Sequence, residues 1–275
     1  MNRIDRKFAE LRSAGKNALI PFITVGDPTA DITLDIIHEL EKSGADLLEL
    51  GVPYSDPLAD GPVIQESSGR ALKSGITVLK VIEIAKQARS EGSELPMILF
   101  TYYNPLLRIG LERVFELMKE SDISGVIIPD LPMEEDAEVK QLAERNGIHL
   151  IPLIAPTSNE RVQKIVSRAS GFIYCVSSMG VTGVRSEFHA GVDDFLASVK
   201  AATDLPIAIG FGISNRKQVE RFEKTCDAVV VGSAIVRRIG EQEQRLQDES
   251  TKQDALKQIG EFVRDLKGAS YQTQS

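Results

Sequence analysis

Three carboxylates lie close together in the segment LELGVPYSDPLADGP, residues 48–62. Glu49 stands inside an apolar segment, and Asp56 and Asp60 follow in a stretch that prolines restrain. Apolar surroundings raise the pKa of a carboxyl group toward neutrality, where it can both donate and accept protons. We therefore expect Glu49 to be a general acid or base. Spacing alone does not distinguish Asp56 from Asp60 as its companion, because either could cap a turn.

Glycine-rich motifs later in the chain predict a phosphate site. GFGIS (210–214) and GSAIV (232–236) each follow an apolar segment, and GVTG (180–183) lies in a longer loop. Glycines let backbone N–H groups approach phosphate oxygens, and a helix N-terminus favours an anion. The alternative is that these glycines only form tight turns. GFGIS lacks the third glycine of a dinucleotide motif, and no Walker A motif is present.

Short apolar segments alternate with amphipathic ones along the chain. Strands are predicted at residues 18–25, 46–51, 96–101, 125–129, 149–153, 171–176, 206–209 and 228–231. Strands that are apolar on both faces and separated by helices indicate a parallel sheet covered by helices. We predict an α/β fold with one (β/α)₈ TIM-barrel domain at 1–267 and a polar C-terminal tail at 268–275. An extra N-terminal helix would cover the barrel bottom, and a short phosphate-binding helix would follow strand eight.

The barrel would position the chemical groups at the C-terminal ends of its strands. A period of two places Ala45, Leu47 and Glu49 on one face and Leu48 and Leu50 on the other. Glu49 then points into the barrel mouth. The alternative is a glutamate paired with a cation, although no lysine or arginine stands at a predicted strand end.

The composition restricts the possible functions. A net charge of -8 argues against a nucleic-acid partner. Two cysteines in apolar segments are expected to be buried and free, and no apolar signal segment is present, so we expect a cytoplasmic protein. The absence of a strand-end lysine argues against a Schiff-base aldolase. The histidines, at 38, 149 and 189, are too scattered to predict a metal site.

The order and spacing of these motifs resemble the α subunit of tryptophan synthase over about residues 1–267. PFITVGDP, LELGVPYSDPLADGP, YCVSSMGVTG, GFGIS and VVGSAIV carry the resemblance. It implies retro-aldol cleavage of indole-3-glycerol phosphate to indole and glyceraldehyde 3-phosphate. Glu49 would be the general acid/base, and Asp60 would hold the indole N–H.

The resemblance also implies the remaining site residues. The phosphate would be bound by Gly183, Gly212, Gly232 and Ser233. The apolar indole pocket would be formed by Phe22, Phe100, Tyr174 and Phe211. Tyr54 stands where some relatives have phenylalanine, and Ser178 stands where some have arginine.

A partner is implied as well. The family's α subunit docks on a pyridoxal-phosphate β subunit, usually as α₂β₂, and itself carries no cofactor or metal. Residues 53–62 and 177–189 would close over substrate and contact the partner, with Asp56 and Thr182 in loop closure or the interface. Two alternatives remain: an unrelated phosphosugar isomerase on the same barrel, and a catalytically silent activator of a β subunit. The second predicts loss of Glu49 or Asp60, and both are present.

Overall fold

The computed structural model describes residues 1–156, 159–176, 191–210 and 212–268. Nine parallel strands lie in these ranges. They are β1 (Ala18–Thr24), β2 (Leu48–Gly51), β3 (Met97–Phe100), β4 (Gly125–Ile127), β5 (His149–Leu150), β6 (Leu153–Ile154), β7 (Ile173–Val176), β8 (Ile207–Gly210) and β9 (Ala228–Val231). All eight predicted strands are present, with ends that differ by up to two residues, and one of them is divided in two.

The divided strand closes the barrel. The strand order is β5-β4-β3-β2-β1-β9-β8-β7-β6, so β5 and β6 form the two edges of the sheet. Only Ile151 and Pro152 separate them. The Ile151 N–H donates to Val126 O at 2.9 Å, and Pro152 O accepts from the Tyr174 N–H at 3.1 Å. Because proline has no N–H to donate, the predicted strand 149–153 is interrupted there. The eight-stranded barrel is confirmed.

Helices cover the outside of the barrel. In the described ranges they are α1 (Arg3–Ser13), α2 (Ala30–Lys42), α3 (Pro62–Lys73), α4 (Val78–Ser90), α5 (Tyr103–Ile109), α6 (Leu111–Glu120), α7 (Ala137–Asn146), α8 (Asn159–Val166), α9 (Val192–Ala202), α10 (Arg216–Phe222), α11 (Ser233–Glu241), α12 (Glu243–Leu246) and α13 (Lys252–Lys267). Amphipathic patterns at 32–42, 111–120, 134–146, 159–169, 192–202 and 216–224 predict the helices found as α2 and α6 to α10. No helix was predicted at α3, α4, α5 or α12. Local signals for two of them exist: Pro62 occupies the first turn of α3, and the Thr77 hydroxyl caps α4 by accepting the Lys80 N–H. In the described ranges no helix has both the length and the apolar character needed to cross a membrane.

Two apolar layers follow from the alternation along the strands. Leu48 and Leu50 of β2 pack in the outer layer, between strands and helices, whereas Leu47 packs in the inner layer within the barrel. This confirms the predicted outward direction of Leu48 and Leu50. Ala45 was predicted to face inward with Leu47, and this is wrong: it packs in the outer layer. The period of two does not extend to Ala45 because β2 begins only at Leu48.

The N-terminal helix covers the bottom of the barrel, as predicted. Ile4 and Phe8 of α1 are buried in the inner layer, and the Phe8 and Phe172 ring centroids are 5.5 Å apart. The Asn2 side chain caps α1 by accepting the Ile4 N–H at 2.8 Å. His149 Nε2 lies 2.9 Å from Asp5 Oδ1, which joins α1 to β5. The helix α1 therefore covers the bottom of the barrel with apolar side chains and attaches to it through His149.

Replacing Phe8 by alanine tests this role of α1. We expect a loss of about 3–5 kcal/mol in the free energy of unfolding, because a buried ring is removed from a packed interior. Urea denaturation measures it. Arg6→Ala, an exposed change on the same helix, is the control and should cost less than about 0.5 kcal/mol. Equal losses in the two variants would contradict the packing role.

Candidate active site

Glu49 is a carboxyl group enclosed by the barrel. It lies in the middle of β2, with Phe22 of β1 and Ile98 of β3 as its neighbours in the sheet. The residue is only 1% exposed, and its Oε1 atom has no hydrogen-bond partner among the described residues. Burial alone raises the pKa of Glu49 well above its usual value. A carboxyl group in this position holds its proton more firmly than one in water.

The predicted alternative for Glu49 was pairing with a cation. Across the part of the chain that the structure describes, no ion pair includes Glu49. Asp27, at the end of β1, shows the contrasting case. Its carboxylate accepts two hydrogen bonds from Arg70, at 2.7 and 2.8 Å, and one from the Ser67 hydroxyl at 2.6 Å. The two carboxyl groups therefore have opposite surroundings, and the described structure does not support the cation alternative for Glu49.

The structure separates Asp60 from Asp56. Asp60 is 6% exposed and lies just before Gly61, the N-cap of α3. Burial raises the pKa of Asp60 to about 6, and a hydrogen bond with the Tyr102 hydroxyl opposes part of that rise. Asp56 is exposed and accepts a hydrogen bond from the Ser55 hydroxyl at 2.9 Å. Of the two carboxylates that spacing left equivalent, only Asp60 reaches the interior.

The start of α11 forms the opposite side of the site. The Ile235 and Val236 N–H groups both donate to Gly232 O, at 2.9 and 3.0 Å. The carbonyl of Gly232 therefore accepts the first intrahelical bonds, and the N–H groups that precede Ile235 lie at the N-terminus of α11. Gly212, on the loop after β8, has a φ of +98°, which favours glycine. Such a terminus attracts an anion through its N–H groups and dipole.

One pocket at the barrel mouth unites these groups. Its lining consists of Phe22, Glu49, Asp60, Ile64, Phe100, Tyr174, Gly212, Val230, Gly232 and Ser233. Eight of these ten were predicted site residues; Ile64 and Val230 were not. Val230 stands two positions before Gly232, so the strand period could have identified it. Ile64 lies on α3, which the sequence analysis did not find.

Some predicted residues cannot be compared with the structure. Thr182, Gly183 and Phe211 lie outside the described residues, as do Ser178 and the whole segment 177–189. Burial raises the pKa of Tyr174 strongly, and the nearby Glu49 adds to this effect. The Tyr174 hydroxyl is therefore a neutral group beside the carboxyl of Glu49 at neutral pH.

Volume alone does not identify this site. The mouth pocket has a volume of only about 30 Å³. A larger cavity of about 480 Å³ lies outside the barrel between α7 and α8, where Ala143 and Ile165 contribute to its lining. That cavity contains none of the predicted site residues. The mouth pocket is preferred because it joins two buried carboxyl groups to a helix N-terminus.

Comparison with known proteins supplies independent findings. A family model described as tryptophan synthase alpha chain matches residues 8–267. The tryptophan synthase alpha chain of Geobacillus sp. (strain WCH70) is 48% identical over 257 residues, covering 94% of this chain and 98% of that protein. That of Bacillus pumilus (strain SAFR-032) is 48% identical over 250 residues, covering 91% and 94%.

Solved structures agree in fold. Tryptophan synthase subunit alpha from Legionella pneumophila str. Paris has a TM-score of 0.85 and 33% identity, with 98% of both chains covered. A structure of the tryptophan synthase a2b2 complex from Pyrococcus furiosus has a TM-score of 0.82 and 37% identity, with 91% of this chain and 98% of that chain covered.

Replacing Glu49 by glutamine tests its buried, uncharged state. Because the pKa of Glu49 is higher in the folded protein than the unfolded value of 4.5, its contribution to the free energy of unfolding is fully present below pH 4.5. That contribution decreases as the pH rises above 4.5. Glutamine stays neutral. We therefore expect Glu49→Gln to be more stable than the parent at pH 7–8, with a difference that grows by at most about 1.4 kcal/mol per pH unit above 4.5.

Urea denaturation across this pH range measures the difference, and exposed Asp56→Asn is the matched control. A stability difference that does not change with pH would contradict the raised pKa.

Proposed function

The chain belongs to the tryptophan synthase alpha chain family, and from this premise we propose how its own residues carry out the reaction. That reaction is a lyase reaction, the cleavage of indole-3-glycerol phosphate to indole and glyceraldehyde 3-phosphate. One observation carries the proposal. A single pocket holds a buried Glu49, which has no cation beside it among the described residues, a buried Asp60 and a glycine-built helix N-terminus.

We propose that the phosphate group binds at the start of α11. Gly232 and Ser233 would present N–H groups there, and Gly212 would contribute from the neighbouring loop. Gly183 is proposed to join them from its own loop. The indole ring would lie against Phe22, Phe100 and Tyr174, with Phe211 proposed as a further wall. Fixing both ends of the substrate places its reacting bond beside the two carboxyl groups.

The proposed chemistry needs one proton donor and one fixed negative charge. Glu49, in the protonated form that burial favours, gives its proton to the indole ring carbon that bears the glycerol chain. The ring then carries a positive charge at its nitrogen, and the Asp60 carboxylate accepts the hydrogen bond of that N–H. Glu49, now ionised, takes the proton of the adjacent glycerol hydroxyl. The hydroxyl oxygen forms a carbonyl, the carbon–carbon bond breaks, and its electron pair returns to the ring.

The unequal surroundings of the two carboxyls suit these two tasks. Burial favours the protonated form of Glu49, whereas Asp60, with a pKa of about 6, is mostly ionised at neutral pH. Environments that push the pKa values of two carboxyl groups apart allow one to act as acid while the other stays charged. Protonation turns the indole ring into its own electron sink. A catalytically silent activator would not need this pair.

We propose that the chain works with a β subunit, as α₂β₂, which carries pyridoxal phosphate, while this chain binds no cofactor of its own. The similar Pyrococcus furiosus structure is described as an a2b2 complex. Leu58, in the loop 53–62, is 76% exposed, and a large exposed apolar side chain suits a partner contact. Asp56 on the same loop and Thr182 are proposed for loop closure or the interface.

Two further proposals concern the whole chain. Residues 1–267 are proposed to form one domain, with 268–275 as a tail, since the family model extends to residue 267. A cytoplasmic location is proposed from the two free, buried cysteines, Cys175 and Cys226.

Replacing Glu49 by glutamine tests the proton chemistry. Indole release from indole-3-glycerol phosphate should fall at least about 100-fold, with or without a β subunit, because the amide cannot transfer the proton. Calorimetric binding of glyceraldehyde 3-phosphate should persist, since the start of α11 is untouched. Glu83→Gln, an exposed change on α4, is the control. An active Glu49→Gln enzyme would refute the assignment, and a parent that releases no indole in either condition would refute the proposed function.

The phosphate site is tested at Gly232. A Cβ there would meet Phe22 only at an ordinary 3.5 Å, so both alanine and aspartate should fit. Gly232→Asp brings a negative charge toward the substrate phosphate and should raise KM by about tenfold or more. Gly232→Ala, the uncharged control, should leave KM within about threefold of the parent. Steady-state kinetics measure both, and equal KM values in the two variants would argue against phosphate at this helix.

A further inference from the structure

Tyr102 connects the third barrel strand to the loop that carries Asp60. It lies just after β3, at the N-cap of α5, and is only 2% exposed. Its hydroxyl accepts the N–H of Ala59 at 3.0 Å. The same hydroxyl interacts with the Asp60 carboxyl group and lowers its pKa. Because the hydroxyl oxygen accepts the Ala59 N–H, its own proton remains available to the carboxylate.

The ring of Tyr102 is itself held in place. It stacks on Tyr54 of the same loop, with ring centroids 4.9 Å apart and planes 29° apart. The backbone after Tyr102 is held as well: the Tyr103 N–H donates to Asp130 Oδ1 at 2.9 Å, which fixes the start of α5. Neither Tyr54 nor Asp130 lines the mouth pocket. Tyr102 is therefore oriented by the barrel end and the stack, and only its hydroxyl reaches toward the carboxylate.

From this geometry we propose that Tyr102 is a positioning residue, whose hydroxyl fixes the loop at Ala59 and so places the neighbouring Asp60 carboxyl group in the pocket. The proposal rests on the proposed role of Asp60 in the reaction. Tyr102 does not line the pocket and is not assigned a contact with substrate. Its action passes through Asp60, and the bond to Ala59 sets the approach of the loop backbone.

The nearness of Tyr102 and Asp60 has a chemical consequence as well. A donor to a carboxylate favours the charged form, so the Tyr102 hydroxyl lowers the pKa of Asp60 against the rise that burial causes. Burial and the neighbouring Asp60 charge raise the pKa of Tyr102 itself. The hydroxyl therefore keeps its proton and remains a donor through the range in which Asp60 titrates. Removal of the hydroxyl should raise the pKa of Asp60.

Tyr102→Phe tests this proposal, because it keeps the buried, stacked ring and removes only the hydroxyl. The acid limb of kcat/KM for indole release should move to higher pH by about half to one unit, since Asp60 then protonates more easily. At pH 7 kcat/KM should fall roughly tenfold, mainly because Asp60 is less well placed, since the change in its protonation alone would cost about twofold or less. Hydrogen exchange of the Ala59 amide should become faster, because its acceptor is gone. Tyr54→Phe, which removes a hydroxyl from the other ring of the stack, is the matched control.

The outcomes separate this proposal from the proposed function. If Asp60→Asn keeps parental indole release, the role of Asp60 fails and the positioning role of Tyr102 fails with it. If Asp60→Asn is inactive while Tyr102→Phe keeps the parental acid limb and Ala59 exchange, only the positioning role is overturned. A Tyr102→Phe enzyme with lower Tm and kcat but an unmoved acid limb would show a merely structural role. The proposal would also be overturned if Tyr54→Phe moved the acid limb of kcat/KM as far as Tyr102→Phe does.

Discussion

Desolvation of one carboxyl group is the constraint on which this site depends. Glu49 is buried in a strand whose neighbours are apolar, and its Oε1 has no partner in the described part of the chain. A charged carboxylate there would be costly, so the folded protein favours the protonated form. Several features of the fold keep that environment dry. The alternation of β2 turns Glu49 inward, the aromatic rings of Phe22 and Phe100 meet edge to face at 5.5 Å, and α1 covers the far end.

The second carboxyl is controlled by different means. Glu49 is fixed by a strand paired on both sides, whereas Asp60 belongs to a loop. That loop is attached to the barrel through the Tyr102 hydroxyl and the stacked Tyr54 ring. One group therefore has its pKa set mainly by burial, and the other by burial and a hydrogen bond that oppose each other. A strand suits a group whose surroundings must stay constant, and a loop suits one whose surroundings can be adjusted.

Much of this arrangement could be predicted from the sequence because it depends on local periodicity. The alternation around Leu48 and Leu50 predicted the direction of Glu49, and glycines after the last two strands predicted the helix terminus at Gly232. The inward direction assigned to Ala45 was wrong, because periodicity does not show where a strand begins. The division of the fifth strand depends on Pro152, a single residue in an otherwise continuous apolar pattern.

Other features depend on contacts between residues far apart in the sequence. The spacing of Asp56 and Asp60 is equally compatible with both roles, and the resemblance to a family, not the spacing, favoured Asp60. In the structure, the loop next to Asp60 is held at the barrel by Tyr102, which lies 43 positions from Ala59 in the sequence. Ile64 lines the pocket from α3, and this helix was not predicted because its serines and glycine interrupt the apolar periodicity. No local pattern carries such information, because it arises only when the barrel brings successive strand ends together.

The position of Asp60 in the chain has a consequence for what ligand binding can affect. Asp60 lines the pocket, and it lies between Ala59, whose N–H is bonded to Tyr102, and Gly61, the N-cap of α3. The same loop carries the exposed side chain of Leu58. A ligand that bonds to Asp60 therefore acts on a segment that joins the interior of the barrel to the protein surface.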